Sequence, residues 1–339
     1  MISGGSNKKL FIYDNSSKKK IEIKDLEDWP NNIYEIFHKE NDDKNIQICV
    51  CCKNVLYFIK LDLENTKFDI KKKELSNISV NICLEMKKNN FIISGETGVF
   101  HISNLQFNSE KIAIKKIFNQ PYKNGIKLNK NIIVLTSNCV LVDGEDKLIF
   151  YNLDTKKILK SIENYSFITY TNGLSLMYIN EDCNILLCAC KKYFDRQKNG
   201  ILLVNPQFGD NQEINDNFYD TEDFEVFCFQ QISIFDNESS NENKKKRYSN
   251  YFLVGGFDAE KGEGIIKLYK IIYNNKICDT KIEFIFDIVN YYNQNFHGFD
   301  MPISCITQSK ISGNIYISCW DGNVYLFNSP NINYFIKSE

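Results

Sequence analysis

The chain has 339 residues, 43% hydrophobic and 14% aromatic, which is enough apolar material for a large core and too much for a disordered chain. Its 41 basic and 43 acidic residues leave a formal charge of −2, without the basic surplus of a nucleic-acid binder. No apolar run reaches the length of a membrane span and no charged-then-apolar leader opens the chain, so no membrane partner is expected; the twelve cysteines are expected as thiols in a cytoplasmic setting.

Phe (25) and Tyr (19) far outnumber Trp (2), a bias that suits strands on half-buried sheets. One phrase recurs along the chain: a short apolar strand, a polar tight turn, then a second apolar strand. It opens as Ile2-Ser3-Gly4-Gly5 followed by Leu10-Phe11-Ile12-Tyr13-Asp14. It returns at Ile92-Ile93-Ser94-Gly95 with Val99-Phe100-His101-Ile102, and at Tyr251–Phe257 with Gly264–Tyr269. The fullest copy is Pro302–Thr307, Gly313–Trp320 and Asp321–Asn328, where Asp321-Gly322 predicts a type I′ hairpin turn.

The cores of the second strand in each phrase are Leu10–Tyr13, Val55–Ile59, Val99–Ile102, Leu148–Tyr151, Ile201–Val204, Ile265–Tyr269 and Val324–Phe327. Their spacing of roughly 40 to 65 residues suits one four-stranded blade each. Outer fourth strands are predicted at Lys67–Lys71, Ile112–Ile117, Lys157–Ile162, Ile282–Ile288 and Ile332–Lys337, where charged and apolar residues alternate as on a strand wet on one side. The fold expected is all-β: a single domain over residues 1–339, a seven-bladed β-propeller of four-stranded antiparallel blades. The first blade is incomplete, because its first strand is missing. The apolar-free run Asp236–Arg247 predicts a mobile polar loop over about 236–249, inserted between two strands of blade six.

Ser3-Gly4-Gly5 with Leu10-Phe11-Ile12-Tyr13-Asp14, and Ser318-Cys319-Trp320-Asp321-Gly322-Asn323-Val324-Tyr325-Leu326-Phe327, resemble the repeated phrase of WD-repeat propellers. The likeness is one of blade rhythm and turn chemistry. Trp320-Asp321 lies in a turn rather than at the end of a third strand, and there is no Gly-His dipeptide, so that family's buried His-Asp network is not expected. The resemblance implies a protein-interaction role.

Catalytic and metal chemistry find little support. Cys49-Val50-Cys51-Cys52 and Cys188-Ala189-Cys190 lack the wider spacing and second pair of zinc sites, and alternation along a strand makes them core thiols. His38, His101 and His297 fall in different blades, with no orienting acid or nucleophile at a recognisable spacing. Gly255-Gly256 and Gly262-Glu263-Gly264 open no helix and read as hairpin turns rather than phosphate cradles. Arg196 and Arg247 are the only arginines, so a paired-arginine phosphoinositide site is not expected.

What remains is surface. On a WD-type frame, blade-joining loops and second-to-third turns share one face, and that face collects aromatic residues of the kind that dominate binding hot spots. The candidates are Trp29, Tyr193, Phe194, Arg196, Phe224, Phe257, Phe296, Phe299 and Trp320. The reading is a non-catalytic scaffold for a peptide or protein partner, with no metal or small-molecule cofactor. The alternatives are a structural subunit of a larger assembly, and after it a propeller enzyme.

Overall fold

The computed structural model describes residues 2–4, 8–14, 19–23, 26–28, 30, 32–37, 45–62, 65, 67–75, 78, 80–87, 90–103, 113–120, 122–136, 146–163, 165–167, 173–179, 183–192, 198–206, 216–222, 224–234, 247–273, 280–288, 298–309 and 312–327. The fold is all-β, a β-propeller. Among the described residues the strands form seven antiparallel sheets, each a run of sequence-consecutive strands.

Blade 1 holds Ile2–Gly4, Leu10–Asp14 and Lys19–Ile23; blade 2 holds Asn32–Phe37, Asn45–Cys51, Val55–Asp62 and Lys67–Glu74. Blade 3 holds Val80–Lys87, Asn90–Gly95, Gly98–Ser103 and Ala113–Phe118; blade 4 holds Asn124–Lys127, Ile132–Thr136, Leu148–Asn152 and Lys157–Ile162. In blade 5, Tyr165–Phe167 and Leu174–Tyr178 both pair with Asn184–Lys192, which is followed by Asn199–Val204 and Asp216–Glu222. Blade 6 holds Phe224–Ile234, Arg247–Asp258, Glu263–Ile272 and Lys281–Asp287, and blade 7 holds Ile303–Gln308, Ile315–Cys319 and Val324–Phe327. All seven predicted third-strand cores fall in the strand expected of them. The candidate strand Ile332–Lys337 lies outside the described residues.

The chain divides into two compact units, residues 1–137 with 150–158, and residues 138–149 with 159–339. In the first unit, Leu10, Ile12 and Ile23 of blade 1 pack on Ile48, Val50 and Ile59 of blade 2, and the other face of blade 2 packs on blade 3 through Cys49, Phe58, Cys83 and Phe91. In the second, blade 6 lies between two such cores: Phe252 and Val254 face blade 5, while Leu253 and Cys228 face blade 7. Inner strands are therefore buried on both faces, which is why they read as near-continuous apolar runs such as Val55-Leu56-Tyr57-Phe58-Ile59.

The outer strands differ from expectation. Lys67–Glu74 is solvated on both faces, and Phe68, Ile70, Ile114, Ile158 and Phe284 of outer strands are all exposed. At these positions the cores between blades stop short of the outer strand, whereas Ile21 and Ile23 of blade 1 and Ile282 of blade 6 still join them. Lysines along these edges discourage pairing with another sheet.

Three local expectations are corrected. Gly255 and Gly256 lie inside a strand rather than a turn: a Cβ at Gly256 would sit 1.9 Å from the Glu225 carbonyl oxygen, and one at Gly255 would sit 2.7 Å from Ile303. The Asp321-Gly322 turn is not type I′, because only Gly322 has positive φ (86°). The Gly322 amide donates to the Cys319 carbonyl (3.1 Å) and the Cys319 amide to the Asn323 carbonyl (3.2 Å), the pattern of a three-residue loop closed by a left-handed glycine. Finally, residues 247–249 of the predicted polar loop are strand, pairing Ile234 with Arg247 and Ser233 with Tyr248; residues 236–246 lie outside the described residues.

Candidate functional site: a tryptophan-centred surface patch

Second-to-third turns and blade-joining segments do share one end of the blades. The Leu26 amide donates to the Lys8 carbonyl (3.2 Å), Leu75 to Asn54 (2.8 Å) and Val80 to Lys53, and each bond ties a connection to the turn of the blade before it. Tyr122 reaches Ser94 through its amide (3.0 Å), and the Ser94 hydroxyl donates to the Tyr122 carbonyl (2.6 Å). In blade 7 the Trp320 amide donates to the Pro302 carbonyl at 3.0 Å.

On this end of blades 6 and 7, three segments meet. The first is the turn Asp258–Gly262, closed by the Gly262 amide on the Asp258 carbonyl (2.9 Å). The Asp258 carboxylate accepts from the Glu260 and Lys261 amides (3.0 and 3.1 Å). Burial raises the Asp258 pKa, but these bonds and the Lys261 ammonium outweigh it and hold the carboxyl below its usual value. The second segment is Gly298–Met301, whose Phe299 carbonyl accepts from the Gly264 amide at 2.8 Å. The Met301 carbonyl crosses Gly264 so closely that a Cβ there would lie 2.3 Å from its oxygen, and it accepts the Cys319 thiol at 3.0 Å. The third is the turn Trp320-Asp321-Gly322.

That third turn is fixed by its own aspartate. Asp321 accepts from the Asn323 amide (2.7 Å) and side chain (3.1 Å), and from the Tyr325 hydroxyl at 2.6 Å. The carboxylate at the phenol pushes the Tyr325 pKa up to about 12, with burial adding to it. Burial would raise Asp321, yet the bonds from Tyr325 and Asn323 hold it below its usual value. Tyr325 in turn stands edge-on to Phe299 (centroids 5.0 Å apart, 88°).

Held this way, the Trp320 indole stacks on Phe227 at 5.7 Å and 16°, and keeps 48% of its surface exposed. Phe227 is itself only 4% exposed. It is the extra residue of a bulge, since Val226 pairs with Gly256 and Cys228 with Gly255, and the bulge turns its ring toward the indole. Met301 adds an exposed apolar side chain, and Asp300, Asp321, Glu260 and the half-buried Glu263 give the three segments an acidic cast.

Of the sequence candidates, the structure brings Trp320 and Phe257 to these turns, with Phe257 half-buried opposite Gly264. Phe224 and Phe299 are corrected: at 2% and 1% exposure they are core side chains, filling the joins between blades instead of facing a partner. Trp29, Tyr193, Phe194, Arg196 and Phe296 lie outside the described residues. Phe227, Met301, Asp321 and Tyr325 were missed. The spacing of Asp321 and Tyr325 around a glycine turn was readable, whereas the bulge that presents Phe227 depends on pairing register and was not.

Ten described cysteines carry no disulfide, and nine of them are buried. All three thiols of the Cys49, Cys51 and Cys83 cluster lie above their usual value: the Cys51 contact and burial raise Cys49, the Cys83 contact and burial raise Cys51 against a lowering contact with Cys49, and burial raises Cys83 against a lowering contact with Cys51. No group of metal-ligating side chains occurs among the described residues, and no helix among them is long and apolar enough to cross a membrane.

No protein-family model matches the sequence, and no curated protein is significantly similar to it. Solved structures are similar in fold. A chain of the Kuenenia stuttgartiensis hydrazine synthase superposes with a TM-score of 0.57 at 9% identity, over 97% of this chain and 95% of that one. A chain from a crystal structure of the mitotic checkpoint complex gives a TM-score of 0.60 at 8% identity, over 97% of this chain and 89% of that one. At such identities the likeness is one of fold: the chain is built as a β-propeller.

Proposed function

We propose that the protein is a non-catalytic interaction scaffold, a WD-like propeller that takes a peptide or protein partner on the Trp320 patch. The observation that carries this reading is an indole held flat on a buried ring while half of it faces solvent. Holding the side chain in advance lowers the entropy cost of binding, and Trp is foremost among hot-spot residues. The surrounding carboxylates favour a partner that sets a basic residue beside an apolar one. The likeness to a chain of a multiprotein checkpoint assembly supports a scaffold role, and a cytoplasmic setting is part of the proposal.

A second reading, a structural subunit of a larger assembly, is favoured by the exposed apolar side chains of the outer strands, Phe68, Ile158 and Phe284 among them. Affinity purification with mass spectrometry separates the two. Under the scaffold reading, Trp320→Ala with Phe257→Ala removes partners that the outer-strand pair Phe68→Ser with Ile158→Ser keeps. The reverse pattern supports the subunit, and an unchanged partner set for the Trp320 variant defeats the scaffold proposal.

A further inference from the structure

The first compact unit contains a cavity of about 580 Å³ between blades 3 and 4, of a different chemistry. It is bordered by Lys115 and Lys116 from the outer strand of blade 3, and by Lys130 and Lys156 from two turns of blade 4. His101 joins them, and Asp154 is the one carboxylate on its border among the described residues. Lys116 pairs with Phe100 on the strand's other face, with its ammonium 5.7 Å from that ring, so three ammonium groups against one carboxylate leave a net charge of +2.

The cations are brought together by construction. A bulge between Val99 and Phe100 sets Phe118 opposite Val99 and Lys116 opposite Phe100, so Ile117 is an extra residue and strict alternation is lost. The bulge returns Phe118 to the face that Lys115 shares with His101, and Ile117 also borders the cavity. The two turns are locked to each other by the Leu153 amide on the Asn131 carbonyl (2.8 Å). Each is also capped by an asparagine: Asn129 accepts from Asn131 and Ile132, and Asn152 from Asp154 and Thr155, all at 2.9 Å. Lys156 occupies a left-handed conformation (φ 56°) where glycine would be free of strain, so the turn keeps a cation at a conformational cost. Phe118 and Tyr151, edge-to-face at 4.4 Å, form an aromatic wall that lowers the local dielectric and strengthens charge pairing.

His101 fits an unloaded cationic site. Burial, and then the Lys115 ammonium paired across the strand, hold its imidazole below the usual histidine value.

We propose that this cavity between blades 3 and 4 binds a compact polyanion carrying two or more phosphoryl groups. One phosphate monoester brings a charge of about −1.5 to −2, which the three lysines beside Asp154 balance, and a second phosphoryl group is met by a proton taken up at His101. Lysine heads, unlike the arginine fork, act as point charges and suit several phosphates without fixed planarity. The site is separate from the Trp320 patch, and the scaffold reading does not depend on it.

Calorimetric titration of the full chain tests this with pyrophosphate, orthophosphate and a doubly phosphorylated serine peptide. Pyrophosphate is expected to bind more tightly than orthophosphate, and more weakly as salt is raised. Lys130→Gln with Lys156→Gln should weaken it by at least about tenfold, while Lys53→Gln with Lys67→Gln leaves it unchanged. Tighter binding of the peptide with the same lysine dependence assigns the phosphates to a protein, and weaker binding assigns them to a free polyphosphate. The His101 ring resonance should titrate at higher pH once the anion is bound, a readout independent of heat. Absence of binding by both polyphosphorylated probes, or binding that survives the lysine pair and also Lys115→Gln with Lys116→Gln, overturns the proposal.

Discussion

The turn at Trp320 and the turn at Lys156 use one device for opposite ends. In each, a side-chain oxygen caps its own loop, Asp321 in one and Asn152 in the other, and in each one residue is left-handed. At the first turn that residue is Gly322, with open space where a Cβ would be, and the outward-facing work falls to the neighbouring indole. At the second it is Lys156, and the strained position carries the functional group itself. The capping oxygen follows suit. An aspartate adds charge to an acidic, aromatic surface, while an asparagine closes its loop without adding negative charge to a cationic cavity. Backbone geometry is shared between these turns, and chemistry is chosen residue by residue.

The largest effect is expected where the Trp320 patch depends on close backbone approach. Gly264→Ala would push a Cβ to 2.3 Å from the Met301 carbonyl oxygen, and should lower stability by about 2–3 kcal/mol in a denaturant titration. Gly322→Ala meets no atom and pays only for its φ of 86°, about 1 kcal/mol. Equal losses at the two glycines would show that the patch is not held by the crossing at Met301.

Removing the caps compares the turns directly. Asp321→Ala loses the bonds from Asn323 and from the Tyr325 hydroxyl, for about 1–2 kcal/mol, a modest figure because the group is exposed. Ultraviolet titration should show Tyr325 falling from about 12 toward the ordinary tyrosine value. Asn152→Ala loses two bonds from exposed amides and should cost about 1 kcal/mol.

The two turns also differ in how readable they were. Blade rhythm was legible because inner strands such as Leu148–Tyr151 and Ile201–Val204 are packed on both faces, and such apolar runs announce themselves. Trp320 was legible for a related reason: an indole in a polar turn has no core to enter. Phe224 and Phe299 misled because a blade-joining loop sends some aromatics inward, and composition does not reveal which. The cationic cavity was not legible at all. Its lysines come from three segments of a lysine-rich chain, brought together by strand pairing and a turn-to-turn hydrogen bond, and His101 looked like one more packed side chain.

Lys156→Gly sharpens the contrast by turning the second turn into a copy of the first. Relief of the left-handed strain should raise stability by up to about 1 kcal/mol, less whatever the freer unfolded chain takes back. Pyrophosphate affinity should fall at the same time. A gain in stability with a loss of binding marks a residue kept for function. A loss in both would mean that the lysine stem packs on the cavity wall.

The smallest effect concerns pH, and its sign follows from the direction of the His101 shift. Its folded value lies below the ordinary 6.5 because burial and Lys115 disfavour the imidazolium. As pH falls through 6.5 the unfolded chain takes up this proton before the folded chain does. The histidine's contribution to stability is therefore complete above 6.5, declines as the pH drops below it, and levels off beneath the folded value. Subtracting the curve of His101→Gln from that of the wild type isolates this slope from every other titration. With pyrophosphate bound, the nearby negative charge should favour the imidazolium and flatten or invert the slope. The Trp320 patch has no histidine among its described residues, so Trp320→Ala should leave this difference curve as it was.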